Sequence, residues 1–314
     1  MIYLAVDRDS AQVRLAQGNP RLIYRLLFAA ASQTLLEFGT NPRWLGGQIG
    51  ATLVLHTWGQ TLTQHIHVHA LVSGGGLDAR GQWRAAKRGF LFPVKALSRV
   101  FRGKYLAALS EAFEHGQIAL ADGTASLHDA IAQESLFEAL RSQSWVVYAK
   151  TPMAGPAPVL QYLGRYAHRV ALSNERLLSL SDQSVRFRYK DYARGSRQRV
   201  MSLAPQEFIR RFLLHVLPRH FVRIRHYGLL GNRGKQRALA QCRAALDQPP
   251  IEPTPQIHES VLAFWSRVAA LDLRACSHCG IGHMRTVQIL PALHPPARAP
   301  PRFHAAPPSQ STHD

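Results

Sequence analysis

Three groups of side chains in this 314-residue sequence have the types and spacing to do chemistry. The densest is HIHVHALVSGGG at 65–76. Residues two apart on a strand share a face, so His65, His67 and His69 project together. His67 and His69 are close enough to share one divalent ion. If the strands on either side of GQTLTQ pair about its middle, His56 faces His67 and becomes the third candidate ligand, with His65 in reserve. Three neutral imidazoles leave positions open on an ion, as a Lewis acid acting on a phosphate requires. No Asp or Glu falls between Glu37 and Asp78, so the ion would keep its full charge for an anionic phosphodiester. A single strand histidine is more often a satisfied, half-buried ring; the trio points to a metal.

The second group is Tyr162-Leu-Gly-Arg-Tyr166. Four residues on a helix make one turn, so both phenols share a face. No acid lies between Glu138 and Glu175, whereas Lys150, Arg165 and Arg169 do. Cationic neighbours or a metal favour the phenolate and permit a covalent tyrosyl-phosphate step. Spacing alone also fits two core tyrosines or a base-stacking platform. The third group is Cys276 and Cys279 in CSHCG, half of a zinc site that needs further ligands such as Cys242, His278 or His283.

Mixed helices and antiparallel hairpins must position these groups, which makes the fold class α+β. Residues 1–18 show no period and are expected to be irregular. A helix covers 20–38, the hairpin ATLVLHTW/HIHVHALV follows, and a third strand is expected over 83–92. The triplet Gly74–Gly76 should end the second strand; taken alone it suggests a turn, the alternative being close approach by a nucleic-acid backbone. Helices are expected from Pro93 and near 128–142, then a strand at 145–149 and the tyrosine helix. A catalytic domain over 19–204 is followed by a basic helical region at 205–248. A linker and CxxC segment spans 249–290, and a Pro-rich tail at 291–314 is expected to be disordered.

Composition narrows the partners. Lys+Arg 38 against Asp+Glu 19 gives a formal charge of +19, and only six of the basic residues are Lys. Arg forks match phosphate oxygens, so a polyanion such as nucleic acid is the expected partner. Arg186, Arg188 and Lys190 in VRFRYKDY add basic residues interleaved with aromatics, suited to phosphate contact and base stacking. Three cysteines build no disulfide framework, the start is no signal peptide, and no apolar run reaches membrane-spanning length. A cytoplasmic, nucleoid-associated protein is expected.

HTWGQ (56–60), HIHVHALVSGGGL (65–77), YLGRYAHRVALSN (162–174), VRFRYKDY (185–192), FIRRFLLHVLPRHFVRIRHYG (208–228) and CSHCGIGHM (276–284) together resemble the two-tyrosine, HUH-type rolling-circle transposases of insertion sequences. The likeness covers roughly 19–290. It implies a palm of antiparallel strands flanked by helices, and His67 and His69 holding Mg²⁺ or Mn²⁺ over single-stranded DNA. Tyr162 and Tyr166 would attack in turn through 5′-phosphotyrosine intermediates at transposon ends and target. Lys150, Arg165 and Arg169 would sit near the phosphorane charge. The family also has a Cys-rich zinc-binding region and a first palm strand before the first helix, neither of which is expected within 1–18. The alternatives are a truncated, inactive DNA-binding remnant, or a plasmid replication initiator or relaxase.

Overall fold

The computed structural model describes residues 1–5, 10–86, 91–121, 123–143, 145–150, 153, 155–167, 171–250, 259–269, 272, 274–276, 278–285 and 287. In chain order these form β1 (Ile2–Ala5), α1 (Ser10–Gly18), α2 (Pro20–Thr40), β2 (Gln48–Trp58), β3 (Gln64–Leu77), β4 (Trp83–Ala85), α3 (Val94–Glu114) and α4 (Ala130–Ser142). Then follow β5 (Val147–Ala149), α5 (Pro156–Ala167), β6 (Leu177–Leu180), β7 (Val185–Asp191), β8 (Arg197–Leu203), α6 (Pro205–Leu213), β9 (Ile224–Gly228), α7 (Lys235–Ala245) and α8 (Val261–Ala269). The chain divides into one unit over Met1–Pro250 and another over Ile251–Asp314. No helix among the described residues is long and apolar enough to cross a membrane.

The first unit is built on an antiparallel sheet ordered β5-β1-β3-β2-β9, with β4 paired to the far end of β3. Alternation on β2 sends Ala51, Leu53 and Leu55 into the core, while Thr52, Val54 and His56 take the other face. One stripe of α2 (Tyr24, Leu27, Phe28, Ala31, Leu35, Phe38) and one of α3 (Leu97, Phe101, Tyr105, Leu109) belong to the same core. Pro20 starts α2, where its missing N–H costs nothing. The Asn19 amide before it donates to the carbonyls of Leu15 and Ala119 and accepts from the Ala119 N–H.

Four expectations need correction. The described residues within 1–18 are not irregular: they supply β1 and α1. β1 inserts between β3 and β5, with Tyr3 opposite His69 and Ala5 opposite His67. It is thus a palm strand beside the histidine hairpin. Four residues are too few to show a period, and its stability comes from ladders on both sides.

The glycine triplet is no turn either. β3 runs through it to Leu77, with a register shift between Ile49 and Ala51 on β2. There the Ser73 hydroxyl accepts from the Gly50 N–H (3.0 Å) and donates to the Gly75 carbonyl (2.6 Å). A Cβ on Gly75 would collide with the Arg84 carbonyl and lie 2.7 Å from the Trp83 ring; one on Gly76 would lie 2.5 Å from the Gln48 carbonyl. The close approach these glycines permit is therefore to neighbouring strands. β4 is also shorter than expected, though residues 87–90 lie outside the described set.

Finally, region 205–248 is not purely helical. Its β9 extends the main sheet, pairing His226 with Thr52. In the sequence, the alternation of VRIRHYG was visible but carried no indication of a partner.

A second sheet, β6-β7-β8, buries Val185 and Phe187 and forms a small core with Leu62, Ala171 and Leu172. The turn between β2 and β3 is clasped from this side. Arg176 donates to the Gln60 carbonyl, and Arg211 to that of Thr61. The described part of the second unit contains α8 and a turn closed by an Ala275–His283 bridge.

Candidate active site

The β2–β3 register places His56 directly opposite His67 and Val54 opposite His69. His56, His67 and His69 are all buried, and one ring nitrogen of each lies within 4.8 Å of the others. His67 Nε2 and His69 Nε2 are 3.2 Å apart. His56 is held by stacking on Trp58, with centroids 4.5 Å apart and planes 17° off parallel.

A backbone carbonyl fixes the protons. His67 Nδ1 lies 2.8 Å from the His65 carbonyl, which can only accept, so His67 donates from Nδ1 and carries a lone pair on Nε2. His69 Nε2 faces that lone pair, and His69 Nδ1 lies 3.1 Å from the Tyr162 hydroxyl. With an ion on the two facing nitrogens, His69 would carry its proton on Nδ1 and donate it to the Tyr162 oxygen.

Burial pushes the His67 pKa well below its ordinary value, reinforced by His65, His69 and His56. A neutral ring is what a metal ligand must be. Among the described residues, this trio is the cluster of three or more His, Cys, Asp or Glu able to hold an ion. The donor set fits a divalent metal with an affinity for nitrogen, and the His65 carbonyl holds the His67 ring with its other nitrogen turned to the site.

Tyr162 reaches the histidines from α5, which starts at Pro156 behind Gly155 in the left-handed region (φ +88°). Its ring is buried and meets His69 edge-on at 6.4 Å. Tyr166 lies one turn further along the same helical backbone; its side chain and that of Arg165 are outside the described set, as is Arg169 entirely.

The remaining basic candidates do not converge on the histidine strand. Lys150 is exposed just past β5. Arg186 and Arg188 are exposed on β7 of the second sheet, and Lys190 is half-buried with its ammonium 5.4 Å from the Tyr192 ring centroid. Cys276 and Cys279 lie in one tight turn. There the Gly282 N–H donates to Cys279 Sγ at 3.3 Å, and such backbone donors lower the Cys279 pKa. No third ligand joins them among the described residues.

Tyr3 was missed. Its hydroxyl hydrogen-bonds His65 Nε2, and its ring lies 4.8 Å from His67 and 5.4 Å from His69. Nothing in IYLA distinguishes this tyrosine; only the pairing of β1 with β3 does.

An antiparallel palm with clustered histidines on its central hairpin, faced by a tyrosine-bearing helix, defines an HUH-type α+β domain. Residues 50–237 match the Y2_Tnp family model, described as "Putative transposase". The chain is 46% identical over 298 residues to "Putative transposase y4qJ" of Sinorhizobium fredii (strain NBRC 101917 / NGR234), covering 94% of this chain and 75% of that protein. It is 27% identical over 273 residues to "Transposase for insertion sequence element IS801" of Pseudomonas savastanoi pv. phaseolicola, covering 86% of this chain and 63% of that protein. This chain belongs to the Y2_Tnp family of insertion-sequence transposases. No solved structure matches it significantly.

Proposed function

We propose that this chain nicks and joins single-stranded DNA at the ends of an insertion sequence and at its target, in the bacterial cytoplasm, through 5′-phosphotyrosine intermediates. The observation that carries this reading is the 3.1 Å hydrogen bond between Tyr162 and His69, within a cluster of three imidazoles fit for a metal. Any buried phenol needs a partner; here the partner is one of the clustered imidazoles, which sets the hydroxyl beside the candidate ion site.

His69 orients the Tyr162 hydroxyl, and packing on α5 fixes the direction of approach. After losing its proton to solvent, the Tyr162 oxygen bonds to phosphorus as the bond to the 3′-oxygen breaks. That oxygen takes up a proton, leaving a 3′-OH and a 5′-phosphotyrosine. Mg²⁺ or Mn²⁺ held by His56, His67 and His69 would polarise the scissile phosphate. Tyr166 attacks the second strand in the same way, and a 3′-OH attacking a phosphotyrosine joins DNA and releases the phenol. Arg165 and Arg169 offset the phosphorane charge, and Lys150 binds a phosphate of the same strand. Arg186, Arg188 and Lys190 bind the phosphate backbone away from the reacting atoms.

The test is covalent trapping. Protein and labelled single-stranded DNA from the element's ends are incubated with Mn²⁺ and run on a denaturing gel. The expected DNA–protein band disappears in the Tyr162→Phe/Tyr166→Phe variant. A band that persists in that variant rules out the tyrosine assignment.

A further inference from the structure

Beside the histidine cluster, an aromatic ring and a cation stand exposed on the edge strand of the palm. Tyr148 on β5 is opposite Tyr3 on β1, and Tyr3 is opposite His69 on β3. Directly opposed residues in an antiparallel sheet share a face, so Tyr148 lies on the histidine face. Two strand spacings put its Cα about 10 Å from that of His69. The neighbouring Val147 faces the core and is buried, whereas Tyr148 keeps 55% of its surface exposed.

Two residues on, Lys150 continues the ladder, its N–H donating to the Met1 carbonyl at 2.8 Å. Strand alternation puts it on the same face as Tyr148, about 6.7 Å further along. An open ring is not needed for packing here, because Val147 already anchors the strand. Tyr3, the ring between Tyr148 and the histidines, is occupied by contacts to His65 and His67.

We infer that Tyr148 is a stacking platform for an unpaired nucleobase close to the scissile phosphate, with Lys150 pairing a phosphate of the same strand. This rests on the single-strand reading above and adds a residue that the reading does not use. The ligand is recognised by chemistry that a duplex cannot offer, since stacking on a protein ring needs a base free of its helical neighbours. The contact is sequence-tolerant, because every base has a π-face. It would hold the strand in register on the palm without selecting its sequence.

The experiment measures anisotropy of labelled dT20 with the full chain, and of a 20-base-pair duplex as the control. Tyr148→Ala should weaken dT20 binding about tenfold and leave duplex binding unchanged, while Tyr148→Phe and Tyr148→Trp retain wild-type affinity for both. Equal loss on both DNAs, or no loss on dT20, overturns the proposal. Phe failing where Trp succeeds also overturns it, because stacking does not need that distinction. Covalent trapping is scored separately with end-derived DNA. A protein that forms no adduct, yet binds dT20 through Tyr148, defeats the strand-transfer reading alone.

Discussion

The Tyr162 hydroxyl lies 3.1 Å from Nδ1 of His69, the nitrogen of that ring facing away from His67. The other nitrogen, Nε2, is the one that converges with His67 Nε2. One imidazole therefore touches both the candidate nucleophile and the candidate ion site, and its two nitrogens hold different partners.

Tyr162→Phe should fold, because it keeps the buried ring and gives up the hydrogen bond to His69, worth about 1 kcal/mol. It should nevertheless abolish at least one strand transfer. Thermal denaturation and single-turnover cleavage, run on the same preparation, separate the two effects. Full transposition by this variant combined with Tyr166→Phe would refute the nucleophile assignment.

His67→Ala with His69→Ala should remove metal-dependent cleavage and spare most DNA binding, which Arg and Lys supply. An all-nitrogen donor set also favours Mn²⁺ over Mg²⁺. Titrating each ion against cleavage should show the lower half-saturating concentration for Mn²⁺. Unchanged nicking by the double variant contradicts the reading.

Stability should fall with acidity below about pH 6.5, the ordinary histidine value. Burial lowers the pKa of both His67 and His215, so below that point the unfolded chain takes up protons that the folded chain refuses. Each such ring tilts stability by up to about 1.4 kcal/mol per pH unit, rising with pH across the window and flat above it. Denaturant melts at pH 5.5, 6.5 and 7.5 check the sign, and His67→Ala should shallow the slope.

Gly75→Ala should destabilise the palm by about 1–3 kcal/mol, because its Cβ meets the Arg84 carbonyl and the Trp83 ring. Gly74, one residue earlier, has nothing within 4 Å of a Cβ, and Gly74→Ala should stay within about 0.5 kcal/mol of wild type. Thermal melts of the pair decide it. Equal losses would mean that this stretch of β3 needs glycine for its backbone alone.

Much of the palm was legible in advance for one physical reason. A strand pattern with period two also fixes the facing of a hairpin, so the pairing of His56 with His67 followed from the midpoint of GQTLTQ. The tyrosine helix was legible for the same kind of reason, since a helical period sets which side chains share a face. What stayed hidden depends on partners distant in the chain. β1 is four residues long and finds its neighbours at 67–70 and 147–149. Tyr3 and β9 were unreadable on those grounds, and the glycine triplet misled because its crowding comes from Trp83 and Gln48 across the sheet.

The strand order carries a consequence for how the molecule comes into being. β1 precedes the other described palm strands in the chain, yet its outer partner β5 comes some 145 residues later, and β9, at the opposite edge, later still. Pairings at such separations close slowly, because a long loop must be ordered before any contact repays the cost. During synthesis the palm remains an incomplete sheet until about residue 228 has left the ribosome. The order of synthesis thus acts as a delay: the histidine hairpin can form early, but the sheet that frames it matures only when most of the chain is present.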